Sequence, residues 1–572
     1  MFDKLFQPIT IGSHEAKNRI IFGSHTTNFA RNNLLSQQHA DYYAARAEGG
    51  AGVVLLEEHI VHPSDIPYEY ALAGYLPETV EAMRHVTQRI HAHGALAIVQ
   101  LNHNGQQSVS DHTQRELWAP SAVPDVSSRE VPKAMQARDI AAVIDGFALV
   151  ARHAAQGQAD GVELQIADRS LLRQFLSPLT NQRGDAYGGS LENRLRFVQE
   201  TIEAVDAALR SEHILGVRLC VDELAPWAGI TPEQGIDIAC LLAETGRIDY
   251  LTITMGSIYS IHMFPFHASM HIPRGYAVHL AAAVKAVIPP TIPVFAAGRI
   301  MDPRQAEAIL AEGQADGVEM IRALIADPDL PRLSRAGQPG SVRPCISCNQ
   351  GCQVRNVMNA AIACNVNPDV MRNMHPSTGT TYIEQPPGRD DEGSQTRPVR
   401  DCHPSLRSGS QWMDAEMLRY AQHDNTGVGR ETSSARPNDR QRSYLVVGGG
   451  PAGMEAARTL ALRGRRVTLY EREAALGGAV TLAAGAPGRG ELRLIVEYLQ
   501  RQLEQLDVTI RLGVEVTAEM ILAERPEAVI VATGARSGSG LLPIPGSDLP
   551  HVTDMRRVLR GEQATGQRIV VL

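Results

Sequence analysis

The chain reads as an α/β protein: an N-terminal (β/α)8 TIM barrel followed by a Rossmann-like dinucleotide-binding module. Three observations predict it. Eight short apolar runs recur at regular spacing over residues 1 to about 340, with helical stretches between them. A G-x-G-x-x-G turn at 448–453 lies between a strand-like and a helix-like segment. Four of the seven cysteines crowd into residues 345–364, between these two regions.

The eight runs are residues 19–22, 53–56, 97–100, 161–165, 216–220, 250–253, 293–296 and 317–320. Intervening stretches such as 194–209 and 303–311 place apolar residues at helical spacing. An open doubly wound sheet is the competing arrangement, but no G-x-G-x-x-G turn follows the first run. Barrel chemistry sits at the C-terminal strand ends. Those ends are polar here: Ser24, His25 and Thr26, then Gln100, Gln165 and Arg218. Gly298, Arg299 and Arg322 follow near the last two ends, the usual phosphate site of such barrels. The set converging on one face favours a phosphorylated cofactor such as FMN.

Cys345, Cys348, Cys352 and Cys364 are spaced C-x2-C-x3-C-x11-C. Four thiolates are soft ligands for zinc or an iron–sulfur cluster. Structural zinc sites usually pair two C-x2-C knuckles, and only one pair here has that spacing. The triplet plus a distant fourth Cys fits a [4Fe–4S] cube better. Such a cluster passes single electrons, and a flavin exchanges those for hydride. Cys220 and Cys240 read as small buried hydrophobes.

Residues 371–442 are polar and rich in Pro, Gly, Ser and Thr, and read as a linker or insertion, mostly disordered. Residues 412–421 have the pattern of one short helix. Cys402 and His403 fall in the tract, with Cys402 expected as a free surface thiol. A second α/β unit starts at Tyr444. Strand 444–447 precedes Gly448, Gly450 and Gly453, helix 454–463 follows, and strand 466–470 ends at Glu471. The glycines admit a pyrophosphate to the helix N-terminus, and Glu471 is placed for a ribose hydroxyl. Residues 528–534, AVIVATG, read as a buried strand entering a turn. Residues 568–572 look like the opening strand of a further unit, which suggests truncation. The expected layout is therefore a barrel at 1–343, a four-Cys segment at 344–370, the tract, and an incomplete FAD-binding module at 443–572.

At 572 residues the chain needs two or three domains. It is 44% hydrophobic and 20% charged, ordinary for a globular protein. A net charge of −9 without a basic block argues against nucleic acid as a partner. No apolar run approaches the roughly 20 residues that span a bilayer, and the N-terminus lacks a signal-peptide core. A reduced, cytoplasmic setting follows, with no membrane partner, and suits free thiolates.

Further text is specific. Asn18 and Arg19 open the first strand, QLNH fills 100–103, QFLSP fills 174–178, and YGGSLENR fills 187–194. With the four-Cys spacing and GGGPAGMEAA at 448–457, these motifs resemble the old yellow enzyme superfamily, in its long branch of dienoyl-CoA reductases and amine dehydrogenases. The resemblance covers about residues 1–370 and 442–572. It implies an FMN barrel, a [4Fe–4S] cluster at its edge, and a two-lobed module for FAD (or ADP) and NAD(P)H. By position, Ser24, His25, Thr26, Gln100, Arg218, Arg299, Ile321 and Arg322 match the FMN set. Gly450, Gly453, Glu471, Ala479, Arg489 and Val516 match the FAD or ADP set, with Gly448 opening the turn.

The pattern breaks at two strand ends. Where the family has His or Tyr, then His or Asn, then a proton-donating Tyr, this chain has Gln165, Asp168 and Ser170. Ser170 is too weak an acid to substitute. Ser260 stands where dienoyl-CoA reductases carry a His. Tyr259 or His262 is expected to replace the missing acid, with Gln165 and Asp168 positioning substrate. The first functional reading is NAD(P)H-dependent reduction of an activated C=C bond, with hydride from FMN. The second is oxidation of an N-methyl amine, although an amine cage should be aromatic and the barrel has only Trp118 and Trp227. The third is a fragment that binds flavin without turnover. The expected partner is a small enoyl compound or amine, and a homo-oligomer is left open.

Overall fold

Runs of buried β-branched and aliphatic residues make the barrel wall. A computed structural model describes residues 2–260, 268–370, 443–535, 545–546 and 549–570. Its barrel strands are β1 (Ile20–Phe22), β2 (Val53–Ile60), β3 (Leu96–Asn102), β4 (Gly161–Ile166), β5 (Ile214–Asp222), β6 (Tyr250–Met255), β7 (Val294–Ala296) and β8 (Gly317–Glu319). All eight predicted runs are strands. They pair in chain order, all parallel, and β8 closes onto β1. Parallel neighbours force a crossover after each strand, and helices such as Ala137–Gln156, Leu191–Ala208 and Pro303–Ala311 supply it. Ser190 caps one N-terminus by accepting from the Asn193 amide, and Asp302 with Pro303 starts another.

A two-stranded hairpin, Ile9–Ile11 with His14–Ala16, plugs the N-terminal end of the barrel. Its Ile9 and Ile11 pack with Ile21, Val53, Ile98, Tyr250 and Phe295 in one buried cluster. The opposite, C-terminal end is left for the polar residues.

The second module is a four-stranded parallel sheet of β9 (Ser443–Val447), β10 (Arg466–Glu471), β11 (Thr509–Leu512) and β12 (Ala528–Val531), ordered β11-β10-β9-β12. Helices Pro451–Leu462 and Arg493–Gln505 cover it through Met454, Ala457, Leu499 and Leu503. β12 forms as expected but is not buried. It is an edge strand, and Val531 is 62% exposed. The strand expected over 568–572 is not seen in its described part: Ile569 and Val570 pair with no strand and lie exposed. The polar tract, with residues 412–421, Cys402 and His403, lies outside the described residues, as does His262. No helix among the described residues is long and apolar enough to cross a membrane.

Barrel and module belong to one compact unit. Arg343 grips Glu455 through both guanidinium nitrogens, at 2.9 and 3.1 Å, and lies 5.0 Å over the Tyr498 ring. Arg299 and Arg274 share Glu491, at 2.6 and 2.8 Å.

Candidate active site

A cavity of about 320 Å³ opens at the C-terminal end of the barrel. Ser24, His25, Thr26, Gln100, Gln165, Asp168, Arg218, Arg299, Ile321 and Arg322 all line it. Strand ends of a closed barrel face one mouth, so residues as far apart in sequence as Ser24 and Arg322 meet there.

The first strand end is tightly fixed. His25 is buried, and burial pushes its imidazole down to about 4, so it is neutral. Its Nδ1–H donates to the Gly23 carbonyl at 2.8 Å, which leaves Nε2 to accept from the Tyr42 hydroxyl at 2.8 Å. Gln100 donates Nε2 to Glu163 at 2.7 Å, and Tyr250 donates to the same carboxyl at 3.0 Å. Burial pushes Glu163 up to about 7, against the pull of Arg218. Arg218 itself donates to Glu319 at 2.6 Å. Burial works against its charge, but Glu319, Asp168 and Glu163 together hold it firmly protonated.

The arginines mark the other side. Gly298 has φ +108°, and a side chain there would press on Tyr276 and Ala277, so only glycine makes this turn. Arg299 and Asp168 take left-handed backbone angles, φ +54° and +44°, which cost of order 1 kcal/mol each and cluster at functional sites. Arg322 donates to the Ala268 carbonyl at 2.6 Å and to Asn349. Arg299 Nε and Gln165 Oε1 are buried without a protein partner. Buried polar atoms are rarely left so, and these belong to a site built to take polar groups from a ligand. A cationic cradle beside a small-residue turn and a polar wall fits FMN.

Cys352 also lines this cavity. Burial, then Cys345, pushes its thiol up to about 12. Cys364 is pushed up to about 11 by burial and by Cys345. Burial also raises Cys345, and Cys348 adds to it. The four thiols thus lie within electrostatic reach of one another. Among the described residues, however, no group of three or more potential ligands is gathered at metal-holding geometry.

In the second module, Gly453 lies where a Cβ would stand 1.9 Å from the Gly448 carbonyl oxygen, so helix and strand approach closely only with glycine. A Cβ on Gly450 would meet nothing, which leaves the helix N-terminus open. Glu471 is buried at the end of β10 and accepts from the Gly449 amide at 2.6 Å and from Glu473 at 2.9 Å. Ala479 lies in the next short helix, Gly478–Ala483, while Arg489 is exposed and Val516 half-buried.

Of the two expected replacements for the missing acid, His262 lies outside the described residues and Tyr259 does not reach the cavity. Tyr259 is not among its lining residues, and its hydroxyl accepts from Gln106 instead. Ser170 donates to the Gln165 carbonyl and caps helix Leu171–Leu176 through the Leu172 amide. Ser260 is likewise spent on backbone, donating to Glu223 at 3.0 Å. The sequence reading passed over Glu58, Tyr68 and Asn102, which do line the cavity. Two adjacent acids closing an apolar run, Glu57 and Glu58, were the available signal.

Comparison with known proteins matches this geometry. Residues 4–339 match the NADH:flavin oxidoreductase / NADH oxidase family, and residues 442–572 the pyridine nucleotide-disulphide oxidoreductase family. An NADH oxidase of Thermoanaerobacter brockii is 33% identical over 541 residues, covering 93% of this chain and 73% of its own. An N,N-dimethylglycine/sarcosine dehydrogenase of Chromohalobacter salexigens is 31% identical, covering 100% of this chain and 75% of its own. A solved 2-naphthoyl-CoA reductase, in complex with 2-naphthoyl-CoA, superposes with a TM-score of 0.84 at 28% identity, over 99% of this chain and 79% of that one. The chain belongs to the NADH:flavin oxidoreductase / NADH oxidase family, in the long branch of the old yellow enzyme superfamily, and is a flavin-dependent NAD(P)H oxidoreductase.

Proposed function

We propose that the protein reduces an activated C=C bond with electrons from NAD(P)H, using FMN in the barrel, a [4Fe–4S] cluster on Cys345, Cys348, Cys352 and Cys364, and FAD (or ADP) in the second module. One observation carries this reading: Cys352 and the strand-end set line the same cavity. A cluster on that cysteine would border the flavin site. Four soft thiolates are a matching donor set, and their mutual repulsion is what a cationic iron core relieves. Bound FMN supplies hydride to the substrate and accepts electrons one at a time.

The chain's own residues have separable tasks. Ser24, Thr26, Gln100 and Ile321 would hold the ring, Arg218 would balance negative charge on it, and Arg299 and Arg322 would take the phosphate. Gln165, with its unpartnered Oε1, and Asp168 would orient substrate. Gly448, Gly450, Gly453 and Glu471 would hold the adenylate, with Ala479, Arg489 and Val516 nearby in the sequence of that module.

Oxidation of an N-methyl amine is the second reading. It is favoured by the acidic wall, where Glu58, Asp168 and Glu319 line the cavity. Among the described residues neither barrel tryptophan contributes an aromatic cage: Trp227 is 59% exposed, and Trp118 stacks on His62 at 5.1 Å rather than lining the cavity, whose described aromatic residues are Tyr68 and Tyr276. Anaerobic mixing decides between them. Dithionite-reduced enzyme should be reoxidised by 2-cyclohexenone, and oxidised enzyme should not be bleached by dimethylglycine. The reverse pair of results would reject the C=C reading, and inertness to both would leave flavin binding without turnover.

A further inference from the structure

The cavity wall contains an acid with no assigned task. β2 runs four residues past its apolar run, and its pairing with β3 slips between Leu56 and His59. Three steps along β2 there face two along β3, which is a bulge. Bulges re-aim side chains beside active sites. The two acids on this bulge have different surroundings. Glu57 is buried, accepts from the Thr27 amide at 2.6 Å and hydroxyl at 2.7 Å, pairs with His39, and does not line the cavity. Glu58 lines it.

Glu58 is held at both oxygens. Asn102 Nδ2 donates to one at 2.7 Å, and the Tyr68 hydroxyl donates to the other at 3.0 Å. Asn102, Tyr68, Thr26, Gln165 and Asp168 share the cavity with it. One polar wall therefore links the substrate-orienting pair to a residue of the proposed ring site. Ser170 and Ser260 are spent on backbone, and Tyr259 does not line the cavity.

We propose that Glu58 is the catalytic acid that delivers the proton to substrate carbon during C=C reduction. The proposal rests on the C=C reading above. The carboxyl O–H bond breaks and a C–H bond forms at the carbon α to the activating group. The two electrons that reduce the double bond come with the hydride that reduced flavin supplies to the β-carbon. The negative charge ends on the Glu58 carboxylate, where Asn102 Nδ2 and the Tyr68 hydroxyl receive it, and a solvent proton restores the acid. Burial pushes the carboxyl up to about 7, with Asp65 adding to it and Asn102, Tyr68 and Arg169 opposing. An acid poised near neutrality suits proton transfer in either direction.

The test uses the FMN-loaded enzyme, Glu58→Gln and Glu58→Asp. The first readout is independent of turnover: the infrared difference between wild type and Glu58→Gln should show a carboxylic-acid band at pH 6 that is lost as pH rises through about 7, the Glu163 band being common to both proteins and cancelling. The second is anaerobic reoxidation of dithionite-reduced flavin by 2-cyclohexenone. Glu58→Gln should slow it by about 100-fold or more and lose the fall in rate above about pH 7. Glu58→Asp should recover part of the rate with a moved midpoint. A wild-type rate and pH profile in Glu58→Gln, or the absence of that difference band, would overturn the proposal. If Glu58→Gln emerges without flavin, Glu58→Asp decides: a moved midpoint supports the role and the wild-type midpoint rejects it. Failure of the wild type itself to react with the enone, with FMN bound, rejects the C=C reading and this role with it.

Discussion

Burial and charge pairing set the behaviour of single residues in this cavity. Glu163 is the clearest case. Its carboxyl is raised from 4.5 to about 7, by burial first and then by Glu319, with Arg218 opposing. The folded state therefore holds the proton more tightly than the unfolded chain. Its contribution to stability is complete below about pH 4.5 and is lost as pH rises to about 7. A shift of this size is worth of order 3 kcal/mol. Thermal unfolding should show Glu163→Gln gaining on the wild type between pH 5 and pH 8. A difference in Tm that stays flat over that range would mean the carboxyl is not raised.

Residue-level legibility in the sequence was uneven for a physical reason. Ser24, Gln100, Arg218, Arg299 and Arg322 were found because a barrel fixes where strand ends point. Glu58 was missed because the apolar run of β2 stops at Leu56 while the strand bulges on to Ile60. Nothing in the spacing of the sequence marks that bulge. The expectation for Tyr259 rested on nearness along the chain, and the fold gives its hydroxyl to Gln106. The partners Arg218–Glu319 and Arg299–Glu491 lie 101 and 192 positions apart, beyond any local pattern.

At the scale of elements, the barrel and three of the four module strands were readable because buried parallel strands are near-continuous apolar runs. All eight barrel strands and β9, β10 and β12 rest on such runs; β11, Thr-Ile-Arg-Leu with three of its four residues exposed, does not and was not expected. The errors fall where burial fails: β12 is an edge strand, and residues 569–570 have no strand beside them. The β9–turn–helix element makes a sharp prediction. In Gly453→Ala the new Cβ would stand 1.9 Å from the Gly448 carbonyl, which is backbone and cannot swing aside. The helix must back away from the sheet, and its N-terminus leaves the pyrophosphate position. FAD content should fall at least tenfold while FMN content stays near the wild-type value, read from the flavins released on denaturation. Equal FAD in variant and wild type would remove this turn from the cofactor site.

At the scale of the whole molecule, ion pairs couple the barrel to the dinucleotide module. Arg343–Glu455 and Arg299–Glu491 join barrel to module, and the second pair uses an arginine of the FMN cavity itself. Both arginines are buried and their carboxylate partners half-buried, so separating them would leave a buried cation unpaired, and the module and the cavity are expected to respond to each other. Cys352 brings the cysteine segment to the wall of the same cavity. The account predicts one FMN, about four iron atoms and about four acid-labile sulfides per chain after anaerobic purification, with FAD or an adenylate in the module. Zinc in place of iron, or a barrel that carries no FMN, would contradict it.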